Sequence, residues 1–68
     1  MLKAPHQRLF EHCRENGAKS AWAVGSGTTS NGVFCWEIYL EDKNDVDKLP
    51  NGFEGDQVHA ILCPKPKQ

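Results

Sequence analysis

The residues of this sequence best suited to metal chemistry are three cysteines and three histidines. They stand at Cys13, Cys35, Cys63, His6, His12 and His59. Zinc sites built from short motifs take their ligands in pairs such as Cys-x-x-Cys, and the sequence contains no such pair. His59 and Cys63 share one face of a predicted strand, but extended chain holds them too far apart to chelate one ion by themselves. Each cysteine stands in an otherwise apolar segment, so we expect buried free thiols and surface histidines, with no metal and no other cofactor.

Residues 25–32, Gly-Ser-Gly-Thr-Thr-Ser-Asn-Gly, form a glycine-rich stretch of the kind that can surround a phosphate. The stretch lacks the lysine of a P-loop, and no helix follows whose N-terminus could hold the anion. We interpret it as a hairpin loop, because Asn31-Gly32 tolerates the positive φ angles of a tight turn.

The acidic segment after residue 40 does not have the pattern of a calcium loop. In Asp42-x-Asn44-x-Val46 an apolar side chain takes the third ligand position, and no glycine stands at the sixth. We interpret this segment as a solvated connection.

Glu37 is the carboxylate with the most unusual surroundings, since Trp36 and Ile38 flank it on a predicted strand. It can meet His59 across the sheet if their strands pair, and such a pair can titrate near neutrality. The favoured interpretation is a cross-strand ion pair on a half-exposed face, because a perturbed pair is only a probabilistic sign of a catalytic site. We expect a non-enzymatic protein.

Length and composition describe one small domain. The chain has 68 residues and a net charge of −1 with acidic and basic residues interleaved, which argues against a general binder of phosphate backbones. An odd number of cysteines without short spacing is typical of a reducing cytoplasm. The sequence contains neither a secretory signal nor a stretch long enough to span a membrane, so we expect a cytoplasmic protein.

Residues 4–16 are predicted to form a helix that begins near Pro5 and ends at Gly17. Its apolar stripe consists of Leu2, His6, Leu9, Phe10 and Cys13. A short strand is predicted over residues 19–25, with Trp22 on the side that the helix covers.

The longest apolar run, residues 33–40, predicts the central strand, with Phe34, Trp36, Ile38 and Leu40 on one face. Residues 44–49 predict one helical turn before Pro50. Val46, Leu49 and Phe53 are expected to form a small cluster at the sheet edge. A last strand is predicted over residues 57–63, with Val58, Ala60 and Leu62 on the core side. Residues 64–68 are expected to be a flexible tail.

These elements predict an α+β fold in the order α-β-β-(short α)-β, with the helix packed on a three-stranded sheet. Residues 1–63 form the single two-layer domain. The connection after the central strand is long enough for a crossover, so the third strand can lie parallel to the second. The alternative places the third strand antiparallel beside the first.

The order of turns and strands over residues 20–63 has a counterpart among known proteins. A glycine-rich hairpin with Asn31-Gly32, an apolar strand and an acidic turn are followed by Leu49-Pro50, Phe53-Glu54-Gly55 and a closing strand. This pattern resembles small bacterial α+β modules that occur as stand-alone proteins, including ones on mobile elements, and in front of trypsin-like protease domains. Such modules lack an agreed activity, so the resemblance assigns no functional residue.

One helix can cover only one face of the predicted sheet. The other face presents Val33, Cys35, Glu37, Tyr39, His59, Ile61 and Cys63. This patch is too apolar to be simply solvated, and such patches mark interaction sites. We therefore predict a protein–protein interaction module, with a two-fold homodimer as the simplest assembly, an unidentified protein as the other partner, and Tyr39 as the anchor. The alternative is that the acidic connection and Phe53 fold over this face within the monomer.

Two other classes of function remain open. The first is weak binding of nucleic acid or another polyanion by a basic band on the helix, and its residues are Lys3, Arg8, Arg14, Lys19, Lys65 and Lys67. No RNA-reading motif accompanies the band. The second is a small-molecule sensor with a site between subunits, lined by Trp22, Trp36 and Tyr39.

Overall fold

The computed structural model describes residues 3–66 and shows a helix packed on a mixed four-stranded sheet. The elements are α1 (Pro5–Glu15), β1 (Ala21–Thr28), β2 (Phe34–Leu40), a 3-10 helix (Lys43–Lys48), β3 (Gly52–Phe53) and β4 (Asp56–Leu62). The predicted α+β class and element order are confirmed. The predicted number of strands is wrong, since the sheet has four strands and not three.

Helix α1 ends at a glycine, as predicted. Gly17 has a φ of 107°, which L-residues with a side chain rarely adopt. The N–H of Ala18 donates to the carbonyl of Cys13, and the N–H of Gly17 donates to the carbonyl of Arg14. This pair of hydrogen bonds defines a Schellman motif and satisfies two carbonyls at the helix end. Leu2, the first residue of the predicted apolar stripe, lies outside the described residues.

The hairpin between β1 and β2 is tighter than the sequence predicted. Strand β1 continues through Thr28, and the N–H of Thr29 donates to the carbonyl of Val33 at 2.8 Å. The N–H of Gly32, whose φ is 79°, donates to the carbonyl of Thr29. This is a three-residue loop with a glycine in the left-handed region. The predicted loop over residues 25–32 is therefore wrong for its first half.

Strand β3 was missed because its two residues lie among turn signals. It forms a short hairpin with β4, in which Phe53 pairs with Asp56. The two loop residues, Glu54 and Gly55, have φ angles of 52° and 88°. Two positive φ angles in a two-residue loop match the right-handed twist of the flanking strands.

The strand order is β1-β2-β4-β3, with β2 antiparallel to β1 and parallel to β4. The last strand therefore lies beside β2, as favoured, and not beside β1. The crossover between the parallel strands contains the 3-10 helix at the predicted helical turn. Strand β2 therefore has a hydrogen-bonded strand along each of its edges, in agreement with its apolar sequence.

The core lies between α1, the crossover and one face of the sheet. Its largest fully buried side chains are Leu9, Ile38, Leu40 and Cys13, and Trp36 is buried beside them. The predicted cluster of Val46, Leu49 and Phe53 packs against this core.

Three residues predicted on the core side of the sheet are more exposed than expected. Phe34 at the start of β2 is 39% exposed and Leu62 at the end of β4 is 54% exposed. Ala60 is also exposed. Phe34 and Leu62 lie at opposite ends of the two parallel strands, beyond the area that the helical elements cover.

The C-terminal residues 64–66 carry no regular secondary structure and are exposed. The N–H of Lys65 donates to the Glu41 carboxylate at 3.2 Å. The last two residues of the predicted tail lie outside the described residues. Within residues 3–66, no helix is long and apolar enough to cross a bilayer.

Candidate interaction surface

The face of the sheet opposite α1, here called the open face, brings together most of the predicted interface residues. In the parallel pairing of β2 with β4, three neighbouring pairs lie on it: Cys35 with Gln57, Glu37 with His59, and Tyr39 with Ile61. The register places these residues in adjacent strands because alternate residues of a strand share a face. Two of the residues predicted on this face lie outside the paired strands: Val33 precedes β2 and is 51% exposed, and Cys63 follows β4 and is half-buried.

The crossover does not cover the open face. Val46, Leu49 and Phe53 all pack against the core on the opposite side of the sheet. Phe53 lies 6.4 Å from the ring of Trp36 and 6.1 Å from that of His12, measured between ring centroids. The alternative, in which the acidic connection and Phe53 fold over the open face, is therefore wrong.

Trp22 lies on the open face and not beneath the helix, which corrects the sequence prediction. Its ring centroid is 5.6 Å from that of Tyr39, and its indole N–H donates to the Cys63 carbonyl at 2.9 Å. The register of β1 against β2 shifts between Ala21 and Ala23. An extra residue in a bulged strand breaks the two-residue alternation of side chains, so Trp22 lies on the opposite side of the sheet from the one predicted.

Two glycines of β1 form a hollow in the open face. A Cβ atom on Gly27 would lie 2.7 Å from Glu37 Oε2, and one on Gly25 would lie 3.2 Å from Tyr39 Cε1. The side chains of Glu37 and Tyr39 therefore lie over β1, in space that any other residue would fill. Sequence reasoning missed this hollow because glycines in a chain are more often turn residues.

A hydrogen bond joins the two side chains that lie over the glycines. The Tyr39 hydroxyl donates to Glu37 Oε1 at 3.2 Å. This hydrogen bond, together with the negative charge of the carboxylate, raises the pKa of Tyr39 above its ordinary value, because a phenolate beside a carboxylate is disfavoured.

Glu37 and His59 are neighbours in the sheet but do not form the predicted ion pair. The carboxylate turns away from β4 towards β1, where it meets Tyr39. The His59 ring turns along its own strand, with Nε2 at 3.0 Å from Gln57 Oε1. The hollow over β1 explains the difference, since it offers the carboxylate a position that the sequence did not reveal.

The three cysteines are free. Cys13 and Cys35 are buried, as predicted, whereas Cys63 is half-buried. Burial raises the pKa of the Cys13 thiol to about 11, because an apolar environment disfavours the thiolate. Among residues 3–66, no three His, Cys, Asp or Glu side chains come close enough to hold a metal ion.

Three of the six basic residues proposed to bind a polyanion have side-chain partners within the protein. Lys3 pairs with Glu11 at 2.6 Å and Arg8 pairs with Glu54 at 2.6 Å. The guanidinium of Arg14 donates to two backbone carbonyls at the start of β1. These contacts reduce the positive charge that the helix offers to a ligand. Lys67 lies outside the described residues.

The aromatic residues proposed for a sensor site do not share one surface. Trp36 is buried in the core, with His6, Phe34 and Phe53 around its ring. Trp22 and Tyr39 form their pair on the opposite face. Within one copy, Trp36 therefore lies on the other side of the sheet from Trp22 and Tyr39, and the sensor site between subunits stays a prediction.

Comparison with known proteins adds no relative: no family model, no curated protein and no solved structure matches the chain. The resemblance to small bacterial modules stays a prediction. The open face must be interpreted from its own residues.

Proposed function

We propose that this protein is a small non-enzymatic interaction module that self-associates through the open face. The observation that supports this most directly is the pair formed by Trp22 and Tyr39. Both rings are only half-buried, and they lie on the face opposite α1 and the crossover. Tryptophan and tyrosine are the residues most enriched among those that dominate binding energy at protein interfaces.

The open face is organised in a way that suits recognition. Tyr39 is held by Trp22 on one side and by its hydrogen bond to Glu37 on the other. Side chains that are ordered before binding lose less conformational entropy on association. Glu37 and His59, the pair considered for catalysis, do not contact each other as an acid–base pair would. Glu37 accepts a hydrogen bond from Tyr39, and His59 lies against Gln57. Free buried thiols support a reducing compartment such as the cytoplasm.

The size of the sheet predicts weak association. The three long strands, of seven or eight residues each, present an area of about 14 Å by 23 Å, on the order of 300 Å² of surface per copy. Stable interfaces bury about 800 Å² per partner. We therefore expect a homodimer with a dissociation constant between about 10 μM and 1 mM.

Sedimentation equilibrium from about 10 μM to 1 mM tests the proposal, because this range covers the expected dissociation constant. The disruptive variant is Ile61→Arg, which places a charge among the apolar residues of the open face. The matched control is Leu62→Arg, since Leu62 is the next residue of β4, points to the other side and is 54% exposed. We expect the first variant to be monomeric and the second to associate like the wild type. A wild-type protein that is strictly monomeric at the highest concentration contradicts the proposal, as does equal association of the two variants.

A further inference from the structure

We infer that the partner of the open face is a second copy, stacked about a two-fold axis that runs parallel to the strands over β2, so that Glu37 of each copy faces His59 of the other. This inference rests on the proposed self-association and adds its geometry. It makes the interface complementary in hydrogen bonding, since each copy supplies one carboxylate that accepts a hydrogen bond and one imidazole N–H that donates one.

The register of the sheet sets the position of these groups along the strand direction, here called their level. Gly25 of β1, Glu37 of β2 and His59 of β4 are neighbours across three adjacent strands. A two-fold axis parallel to the strands preserves the level of every residue along the strand direction. Each of the three therefore lies opposite members of the same row in the other copy.

The direction of the Glu37 side chain then selects the position of the axis. The carboxylate lies over β1, close to Gly25 and Gly27, and not over its own strand. An axis over β2 brings β4 of the second copy above β1 of the first. His59 of the second copy is then above the carboxylate, within the hollow that the glycines leave.

The separation of stacked sheets is compatible with direct contact. Sheets that pack face to face lie about 10 Å apart, and a glutamate and a histidine extending from opposite sides can meet across that gap. His59 is exposed. The hydrogen-bond partner of its Nε2 within residues 3–66 is the exposed Gln57 of the same strand. The same axis brings the Tyr39 ring of each copy, which lies over its own β1, above β4 of the other copy, the strand that carries Ile61. The aromatic anchor therefore lies within the interface.

Charge exchange between the two positions tests this arrangement by sedimentation equilibrium. Glu37→His places histidine opposite histidine, and His59→Glu places carboxylate opposite carboxylate. We expect each variant alone to associate at least about tenfold more weakly than the wild type, because two unfavourable pairs form in every dimer. In an equimolar mixture of the two variants, both pairs are again histidine with glutamate. We expect the mixture to regain association within about threefold of the wild type.

Two further variants keep the test informative if Glu37→His impairs folding, which thermal unfolding of each variant reveals. His59→Lys keeps a hydrogen-bond donor opposite the carboxylate and retains association, whereas His59→Glu loses it. Glu15→His, on the exposed side of α1, is the control for a histidine placed away from the open face and is expected to associate normally.

The outcomes separate the two proposals. A monomeric wild type overturns the proposed function and this inference together. A wild type that dimerises, combined with a variant mixture that stays as weak as its components, leaves self-association standing and overturns the axis over β2. Equal association of His59→Lys and His59→Glu also overturns the pairing of Glu37 with His59.

Discussion

The hollow over β1 makes Gly27 a sensitive position. An alanine Cβ at this site would lie 2.7 Å from Glu37 Oε2, whereas ordinary contacts begin near 3.4 Å. The carboxylate must therefore move by roughly 0.7 Å to reach an ordinary van der Waals separation. If it moves away from Tyr39, the present separation of 3.2 Å becomes too long for a hydrogen bond. We expect Gly27→Ala to weaken or break the bond between Tyr39 and Glu37.

The readout is the pKa of Tyr39, which is the single tyrosine of the chain. The hydrogen bond to Glu37 raises this pKa in the wild type, so its loss lowers the pKa towards the ordinary value near 10. Titration of the phenolate absorbance measures the change directly. Overall stability should change little, because replacing a strand glycine by alanine contributes roughly 0.5–1 kcal/mol through reduced backbone entropy of the unfolded chain, which offsets the displaced side chain.

Two variants complete the experiment. Glu37→Gln removes the charge at nearly constant shape and should lower the pKa of Tyr39 in the same direction as Gly27→Ala. Ser26→Ala changes the neighbouring residue of β1 on the opposite side of the sheet and should leave that pKa unchanged. If Gly27→Ala has no effect while Glu37→Gln does, the carboxylate escapes the added methyl group without losing its bond, and the reasoning about the hollow is refuted. If neither has an effect, the hydrogen bond is not the cause of the raised pKa.

Two further predictions concern the buried groups of the crossover and the core. Hydrogen bonding by Ser20, with a smaller contribution from Lys48, lowers the pKa of Asp45 in the folded protein. Ionised Asp45 therefore stabilises the folded state above the unfolded pKa near 4. This contribution is lost as the pH falls through the lower folded pKa. Thermal unfolding between about pH 6 and pH 3 should show less acid sensitivity in Asp45→Asn than in the wild type, while Asp47→Asn, in the same 3-10 helix but exposed, should behave like the wild type. Cys13 is buried and its thiol pKa is about 11, so we expect it to react with a thiol reagent at neutral pH only when the protein unfolds. Modification of Cys13 in the native protein as fast as in denaturant would contradict this prediction.

Much of the fold could be predicted because the sequence signals are local and agree with one another. Pro5 is the first residue of α1, and Gly17 lies two residues after its last residue, Glu15. The apolar run of β2 predicts both its strand conformation and its interior position. The length of the following connection predicts the parallel crossover. Each of these features depends on backbone preferences or on side-chain periodicity within one segment.

The features that sequence reasoning missed depend on contacts between segments. The bulge at Trp22 exists only in the pairing of β1 with β2. Gly25 and Gly27 belong to a strand because β2 pairs with them, although their intrinsic preference favours a turn. The two-residue strand β3 carries no periodic signal, since two residues are too few to show one.

Two of these three features, the bulge at Trp22 and the strand glycines, lie on the open face. A bulge and two strand glycines each weaken local strand preference, and a tryptophan outside the core forgoes part of the burial available to it. In exchange, the bulge places Trp22 against Tyr39, and the glycines admit the side chains of Tyr39 and Glu37. Sequences depart from local consistency mainly where function requires it. The location of these departures is therefore an argument for the open face as the working surface of the protein, and it is independent of the exposure of any single residue.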